Sequence, residues 1–179
     1  MFPESYTIED VPLQRDFIAV NCLPASAYMV LKYWDKFGSP GFTVYSYEEF
    51  LLFFPKTKRL GYPPGKLKEY LIKDDNFSEI IIEDKEANSI LDLQYHIRNN
   101  RPIIVIYDNH YFHTQIESKN THCSVMIGYT PENILVNDLF HGVSYALEQK
   151  RFIKAWELRH MRYILIMQPK QTLMSWIKT

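Results

Sequence analysis

Ala25, Ala27, Met29, Val30, Leu31, Tyr33 and Trp34 make the stretch from Asn21 to about Phe37 apolar around much of its circumference. A helix with one apolar stripe can lie on a surface, but one that is apolar on nearly every side has to be covered by other elements. The spacing therefore predicts a central, buried helix, stopped by Gly38, Ser39, Pro40 and Gly41. The rest of the chain can supply the cover, since 46% of its 179 residues are hydrophobic and 15% aromatic. That length and composition predict a single folded domain over residues 1–179.

The covering elements follow in order. A short extended lead-in over Glu9 to Leu13 ends at Gln14. Tyr45 to Phe54 reads as a second helix, with Ser46 and Glu49 at the spacing of a capping box. Pro55 and the Gly61 to Gly65 stretch read as loop, and Lys66 to Asp74 as a short helix. Glu79 to Glu83 predicts a strand, and Ser89 to Asn99 an amphipathic helix with Ile90, Leu93 and Ile97 inward. Pro102 to Tyr107 is a continuous β-branched run, as expected of a strand buried on both faces. Asn109 to Asn120, polar and aromatic, reads as loop. Two strands, His122 to Tyr129 and Asn133 to Asn137, are joined by a turn at Thr130-Pro131-Glu132. A helix over Glu148 to Leu158 and a strand over Arg162 to Met167 complete the chain. Helices first and strands later define an α+β fold, with N-terminal helices packed on a C-terminal antiparallel sheet.

Several function classes drop out. Twenty basic residues against 21 acidic ones leave a net charge of −1, without the basic excess that nucleic acid or an anionic membrane surface would require. No apolar run approaches the roughly 20 residues that span a bilayer, so no membrane segment is expected. The start, Met-Phe-Pro-Glu-Ser, lacks the basic and apolar regions of a signal peptide. The sequence as it stands therefore reads as cytoplasmic, or as secreted if a signal peptide has been removed. The two cysteines, Cys22 and Cys123, are too few for a disulfide scaffold or an all-cysteine zinc site. His110 and His113 are separated by two aromatics in the predicted loop and have no acidic ligand pair nearby. Zinc takes three or four ligands, so neither a metal nor another cofactor is expected. The aromatics of that loop are expected to border a cleft. Oligomeric state has no signature in the sequence.

Four residues remain as candidates for chemistry. Cys22 opens the apolar helix, where unpaired N–H groups and the helix dipole favour thiolate over thiol. A buried structural cysteine would fit the same position. His122 opens a strand, at a place from which the ring can face a cleft; a hydrogen-bonded surface histidine is the plain alternative. Side chains alternate along a strand, so Cys123 is expected on the opposite face, away from any site that His122 serves. Asp138 follows the next antiparallel strand, whose end lies beside the start of the first, so the carboxylate could orient the imidazole. Asn137 should point the other way, and a turn-forming aspartate is the ordinary reading of Asp138. Gln14, eight residues before Cys22, carries an amide that could donate to an oxyanion, or could be merely solvated.

Together these segments resemble a known family. Asp10-Val-Pro-Leu-Gln14 and Asn21-Cys22-Leu-Pro-Ala-Ser-Ala-Tyr-Met-Val-Leu-Lys-Tyr-Trp34 are similar to the nucleophile region of bacteriocin-leader (double-glycine) peptidases, in their stand-alone branch. Thr121-His122-Cys-Ser-Val-Met-Ile-Gly-Tyr129, Val136-Asn137-Asp138 and Gly142 resemble that family's histidine strand and "Asn-Asp-Pro" strand. Arg151 to Trp156 and Tyr163 to Ile166 are similar to its closing helix and strand. Asn21 and Leu23 stand where many members have glycine, and Leu139 replaces the usual proline. The resemblance implies a papain-like cysteine proteinase fold, with Cys22 as nucleophile, His122 as general base and acid, Asp138 as orienter and Gln14 as oxyanion donor. It also implies a peptide or acyl substrate hydrolysed through a thioester. The same thioester intercepted by an amine would make an acyl- or peptidyl-transferase, and a silent binding module is a third reading.

Overall fold

The helix predicted to be central is α1, Cys22–Asp35, entered through a 3₁₀ turn at Ala19–Asn21. Every residue of α1 except Tyr28, Lys32 and Asp35 is buried. Pro24 falls in its first turn, where a missing N–H costs no intrahelical bond. The computed structural model describes residues 4–37, 43–56 and 61–168. The predicted helix stop at Gly38 to Gly41 lies outside them.

One antiparallel sheet covers α1. Its strands are β1 (Tyr6–Thr7), β2 (Ile81–Glu86), β3 (Ile103–Tyr107), β4 (His122–Tyr129), β5 (Asn133–Asp138), β6 (Gly142–Glu148) and β7 (Arg162–Met167). Their order is β2-β7-β3-β4-β5-β6, with β1 paired to the end of β4 that extends past β3. Every residue of β3 and β4 is buried, so both faces of the sheet's centre are covered. This is the environment that an unbroken run of β-branched residues requires. The indole N–H of Trp34 donates to the Ile166 carbonyl at 2.8 Å and ties the end of α1 to β7. Gly128 marks the tightest approach in the sheet. A Cβ there would come within 2.7 Å of the Tyr6 carbonyl oxygen, so only glycine lets β1 close on β4.

The remaining helices are short: α2 (Tyr47–Phe50), α3 (Leu67–Leu71), α4 (Ile90–Arg98), α5 (Asn109–Thr114) and α6 (Gln149–Glu157). The capping box of Ser46 and Glu49 forms, but the helix behind it lasts one turn and passes into a 3₁₀ turn at Leu51–Phe53. Rings hold this region in place of helix length. Phe50 packs against Tyr28, Phe53, Phe54 and Phe77 with ring centroids between 5.4 and 6.1 Å apart. Burying each such ring contributes roughly 1.5–3 kcal/mol.

Two further segments differ from the sequence reading. Residues 109–114 form α5, although that segment reads as loop. Its residue types favour no helix, and the turn is set by Asp108, whose carboxylate accepts the Tyr111 backbone N–H at 2.9 Å. Strand β6 likewise has no counterpart in the sequence reading: its apolar residues do not alternate cleanly, and among the described residues it pairs only with β5.

Candidate active site

The site forms where the tip of α1 meets the first residues of β4. Cys22 is the first residue of α1, and the N-cap residue Asn21 makes no side-chain cap bond. The Asn21 amide instead donates to Asp16 Oδ2 at 2.7 Å. Asp16 also accepts the Ile18 N–H at 2.8 Å and the Tyr47 hydroxyl at 2.8 Å. This carboxylate therefore fastens the turn that leads into Cys22, a role the sequence reading missed. The Asp16-x-Ile18 spacing of a side chain bonding the backbone two residues on was its only local signal. The Tyr47 phenol is pushed up by burial, and then by its bond to Asp16.

Across the sheet, the register that sets Val125 opposite Asn137 brings Asp138 beside the start of β4. His122 Nε2 lies 2.6 Å from Asp138 Oδ2. The Asp138 carboxylate is fully buried and accepts three further hydrogen bonds. Ser124 Oγ donates to Oδ2 at 2.7 Å, and the backbone N–H groups of Phe140 and His141 donate to Oδ1 at 2.9 and 3.0 Å. Burial alone would raise its pKa; the bonds from His122, Ser124 and His141 together outweigh it and hold the carboxyl well below the usual range. Asn137 points the other way, as alternation requires, and donates to the Val11 carbonyl at 2.9 Å.

The Cys22 sulfur and His122 lie close enough to shift each other's titration. With Nε2 held by Asp138, the ring meets the sulfur through Nδ1. Burial opposes a charge on this imidazole, but the bonds to Asp138 and Cys22 prevail and raise it to about 9. Cys22 is shifted the opposite way. A hydrogen bond from the Cys123 thiol, then the bond to His122 and its charge, lower the Cys22 thiol well below its ordinary value against the penalty of burial. The partner thiol of Cys123 is pushed up by that same bond and by burial. At neutral pH these shifts favour a thiolate on Cys22 beside an imidazolium on His122.

Cys123 was expected to pack away from the site, and the structure corrects this. The Cys123 backbone N–H also lowers the Cys22 thiol. Both neighbouring residues at the start of β4 thus act on the Cys22 thiol. Alternation describes the two faces of a strand but not a group that approaches its end.

The four candidates are not all brought together. His122 is bonded to Asp138, and Cys22 lies close enough to His122 for the two to shift each other's titration. Gln14 lies upstream on the lead-in, half-buried, and its amide donates to the Arg15 carbonyl at 2.9 Å. Next to Asp138, which its backbone N–H bonds, His141 stacks on Tyr145 with centroids 4.2 Å apart, and the ring of His113 of α5 lies 5.8 Å from that of His141. The aromatic segment 109–114 thus borders the site. Among the described residues, no group of three or more His, Cys, Asp or Glu side chains is placed to hold a metal ion. Nor, among them, is any helix long and apolar enough to cross a membrane.

Helices packed on an antiparallel sheet, with a thiol at a helix tip facing a histidine strand, make this a papain-like cysteine proteinase fold. The profile of the Peptidase_C39 like family matches residues 8–163, and the chain belongs to that family. Its fold is similar to that of a C39-like peptidase from Bacillus anthracis, with TM-score 0.70 and 16% identity over 93% of this chain and 98% of the other. The peptidase domain of Streptococcus ComA, a bi-functional ABC transporter of a quorum-sensing pathway, gives TM-score 0.63 and 18% identity over 89% and 99%. A double glycine motif protease from an AMS/PCAT transporter, solved with the leader peptide, gives TM-score 0.59 and 15% identity over 91% and 94%. No curated protein sequence matches the chain significantly.

Proposed function

We propose that this chain is a cysteine peptidase, a single domain over residues 1–179, in which Cys22 is the nucleophile, His122 the general base and acid, and Asp138 the orienter. The observation that carries this reading is the 2.6 Å contact of His122 with Asp138, together with the opposite shifts by which Cys22 and His122 favour thiolate beside imidazolium. The thiolate attacks a peptide carbonyl. The oxygen that gains the negative charge meets the N-terminal end of α1, where the Cys22 backbone N–H and the helix dipole stabilise it. Gln14 is the second donor in this scheme. Its amide is held by the Arg15 carbonyl on the lead-in, so this role requires it to turn toward Cys22 when substrate binds. His122 passes its proton to the leaving amine, and a thioester remains on Cys22. Water, deprotonated by His122, then attacks the thioester and releases the acid.

Membership of the family supports a peptide as substrate, as does the similar protease solved with a leader peptide bound. The test is incubation of the purified protein with a synthetic peptide library, followed by mass spectrometry of products and of acid-quenched enzyme. The expected result is new peptide termini together with an acyl adduct on Cys22, both lost in Cys22→Ala. Identical products from the wild type and Cys22→Ala, or none from the wild type, would contradict the reading.

A further inference from the structure

Ser124 follows His122 by two residues on β4, so both side chains leave the same face of the strand. Its hydroxyl donates to Asp138 Oδ2 at 2.7 Å, the same oxygen that lies 2.6 Å from His122 Nε2. The Asp138 carboxylate is ionised and has no proton to give, so the single proton of Ser124 is committed to it. The Tyr107 hydroxyl, 3.1 Å from Ser124 Oγ, must then be the donor in that pair. Tyr107 faces His122 in the register of β3 and β4, and its ring meets the imidazole edge-on at 5.5 Å and 90°. Ser124 and Asp138 are fully buried and Tyr107 is 1% exposed, so no water competes for these bonds. The triad chemistry described above uses neither hydroxyl.

We propose that Ser124, oriented by Tyr107, is a positioning residue of the triad. The run of donors from Tyr107 to Ser124 to Asp138 keeps the carboxylate charged and turned toward His122. Nε2 therefore stays the bonded nitrogen, and Nδ1 stays toward Cys22. The proposal rests on the reading of Cys22, His122 and Asp138 as a triad. Its physical consequence is specific. Without the Ser124 hydroxyl, Oδ2 loses the bond that fixes its direction, the carboxylate turns off Nε2, and the imidazolium is supported less. The pH window of the thiolate–imidazolium pair then narrows, with its acid limb rising and its alkaline limb falling.

The test is the pH dependence of Cys22 alkylation by iodoacetamide, followed by mass spectrometry of the Cys22 peptide. It compares the wild type, Ser124→Ala, Ser124→Thr and Tyr107→Phe, with near-ultraviolet circular dichroism recorded for each. In Ser124→Ala the acid limb is expected to rise by about one pH unit, with alkylation near about pH 5 slowed roughly tenfold. Tyr107→Phe shifts the limb less and in the same direction; Ser124→Thr, which keeps the hydroxyl, restores the wild-type limb. If alanine at 124 unfolds the chain, Tyr107→Phe reads the same limb. A Ser124→Ala or Tyr107→Phe profile that superimposes on the wild type overturns the proposal, as does a Ser124→Thr profile shifted as far as that of alanine. A wild type with no early acid limb would instead overturn the triad reading itself.

Discussion

His122 and Asp138 stand 16 residues apart in the chain, yet His122 Nε2 and Asp138 Oδ2 are 2.6 Å apart inside the sheet. The contact spans neighbouring antiparallel strands, with Asp138 diagonal to His122 across the ladder, and Ser124 shares the same carboxylate oxygen. Four donors surround that carboxylate, which makes it a poor site for any group that itself donates.

Asp138→Asn tests that arrangement. An amide cannot place its NH₂ among four donors without setting donor against donor, and it removes the charge opposite His122. Turnover is expected to fall on the order of 10²–10⁴-fold, with a lower melting temperature. Steady-state kinetics on a cleaved library peptide, with thermal melts in parallel, measure both.

Cys123 gives a second prediction. Its thiol is the foremost cause of the lowered Cys22 value. Cys123→Ala is therefore expected to raise the pH at which Cys22 becomes reactive, by about one unit, while Cys123→Ser, which keeps a donor, moves it less. The rate of Cys22 reaction with a chromogenic disulfide, followed against pH, reads the shift.

His96 should control acid stability. It is buried, bonded through Nε2 to the Tyr163 hydroxyl at 3.2 Å, and its Nδ1 has no hydrogen-bond partner among the described residues. Burial, with the charges of Arg101 and Lys85, lowers it to about 4. A base depressed in the folded state takes its proton preferentially when unfolded. Stability is thus intact above the unfolded value of about 6.5 and declines as pH falls toward the folded value, by about 3 kcal/mol in all. His96→Phe should flatten urea-unfolding free energies between about pH 6.5 and 4, whereas an unchanged slope would contradict the assignment.

Arg159 holds the approach to His122. Its guanidinium pairs with the fully buried Asp108 at 2.8 Å and also donates to the Ser118 carbonyl. Asp108 in turn accepts from the N–H and hydroxyl of Ser118 at 2.8 and 3.0 Å, so this network fixes the segment entering β4. Arg159→Ala leaves a buried carboxylate without its counter-charge and is expected to cost about 3–5 kcal/mol. Chemical denaturation measures the loss, and the double variant Arg159→Ala with Asp108→Asn should recover part of it.

Much of the fold could be read from residues whose local preference agrees with their tertiary surroundings. The apolar run in α1, the β-branched run in β3 and the alternation around His122 and Asp138 all belong to this kind. Strand β7 was legible residue for residue at Arg162 to Met167. What was not legible depends on partners far along the chain. The turn of α5 exists because Asp108 caps it and Arg159 holds Asp108, and β6 exists because β5 offers it an edge. The same holds at the site. Cys22, His122 and Asp138 were visible as types at suggestive spacings. Asp16 and Tyr107 become meaningful only once Tyr47 and Ser124 stand beside them. Ser124 carries a usable sign in its place two residues after His122 on one face of a strand, as Asp16 does in its spacing to Ile18. Cys123 was misplaced because alternation says nothing of a sulfur that arrives at the strand's end.

The central claim is that Cys22 is a thiolate, paired with an imidazolium, at a pH where an ordinary thiol is neutral. Ultraviolet absorbance of the thiolate, titrated in the wild type, Cys22→Ser and Cys123→Ser, measures it directly. The account predicts a thiolate signal already present at about pH 6 in the wild type and in Cys123→Ser, and absent in Cys22→Ser. A wild-type signal that emerges only at about pH 8.5 or above, or one that survives in Cys22→Ser, would contradict it.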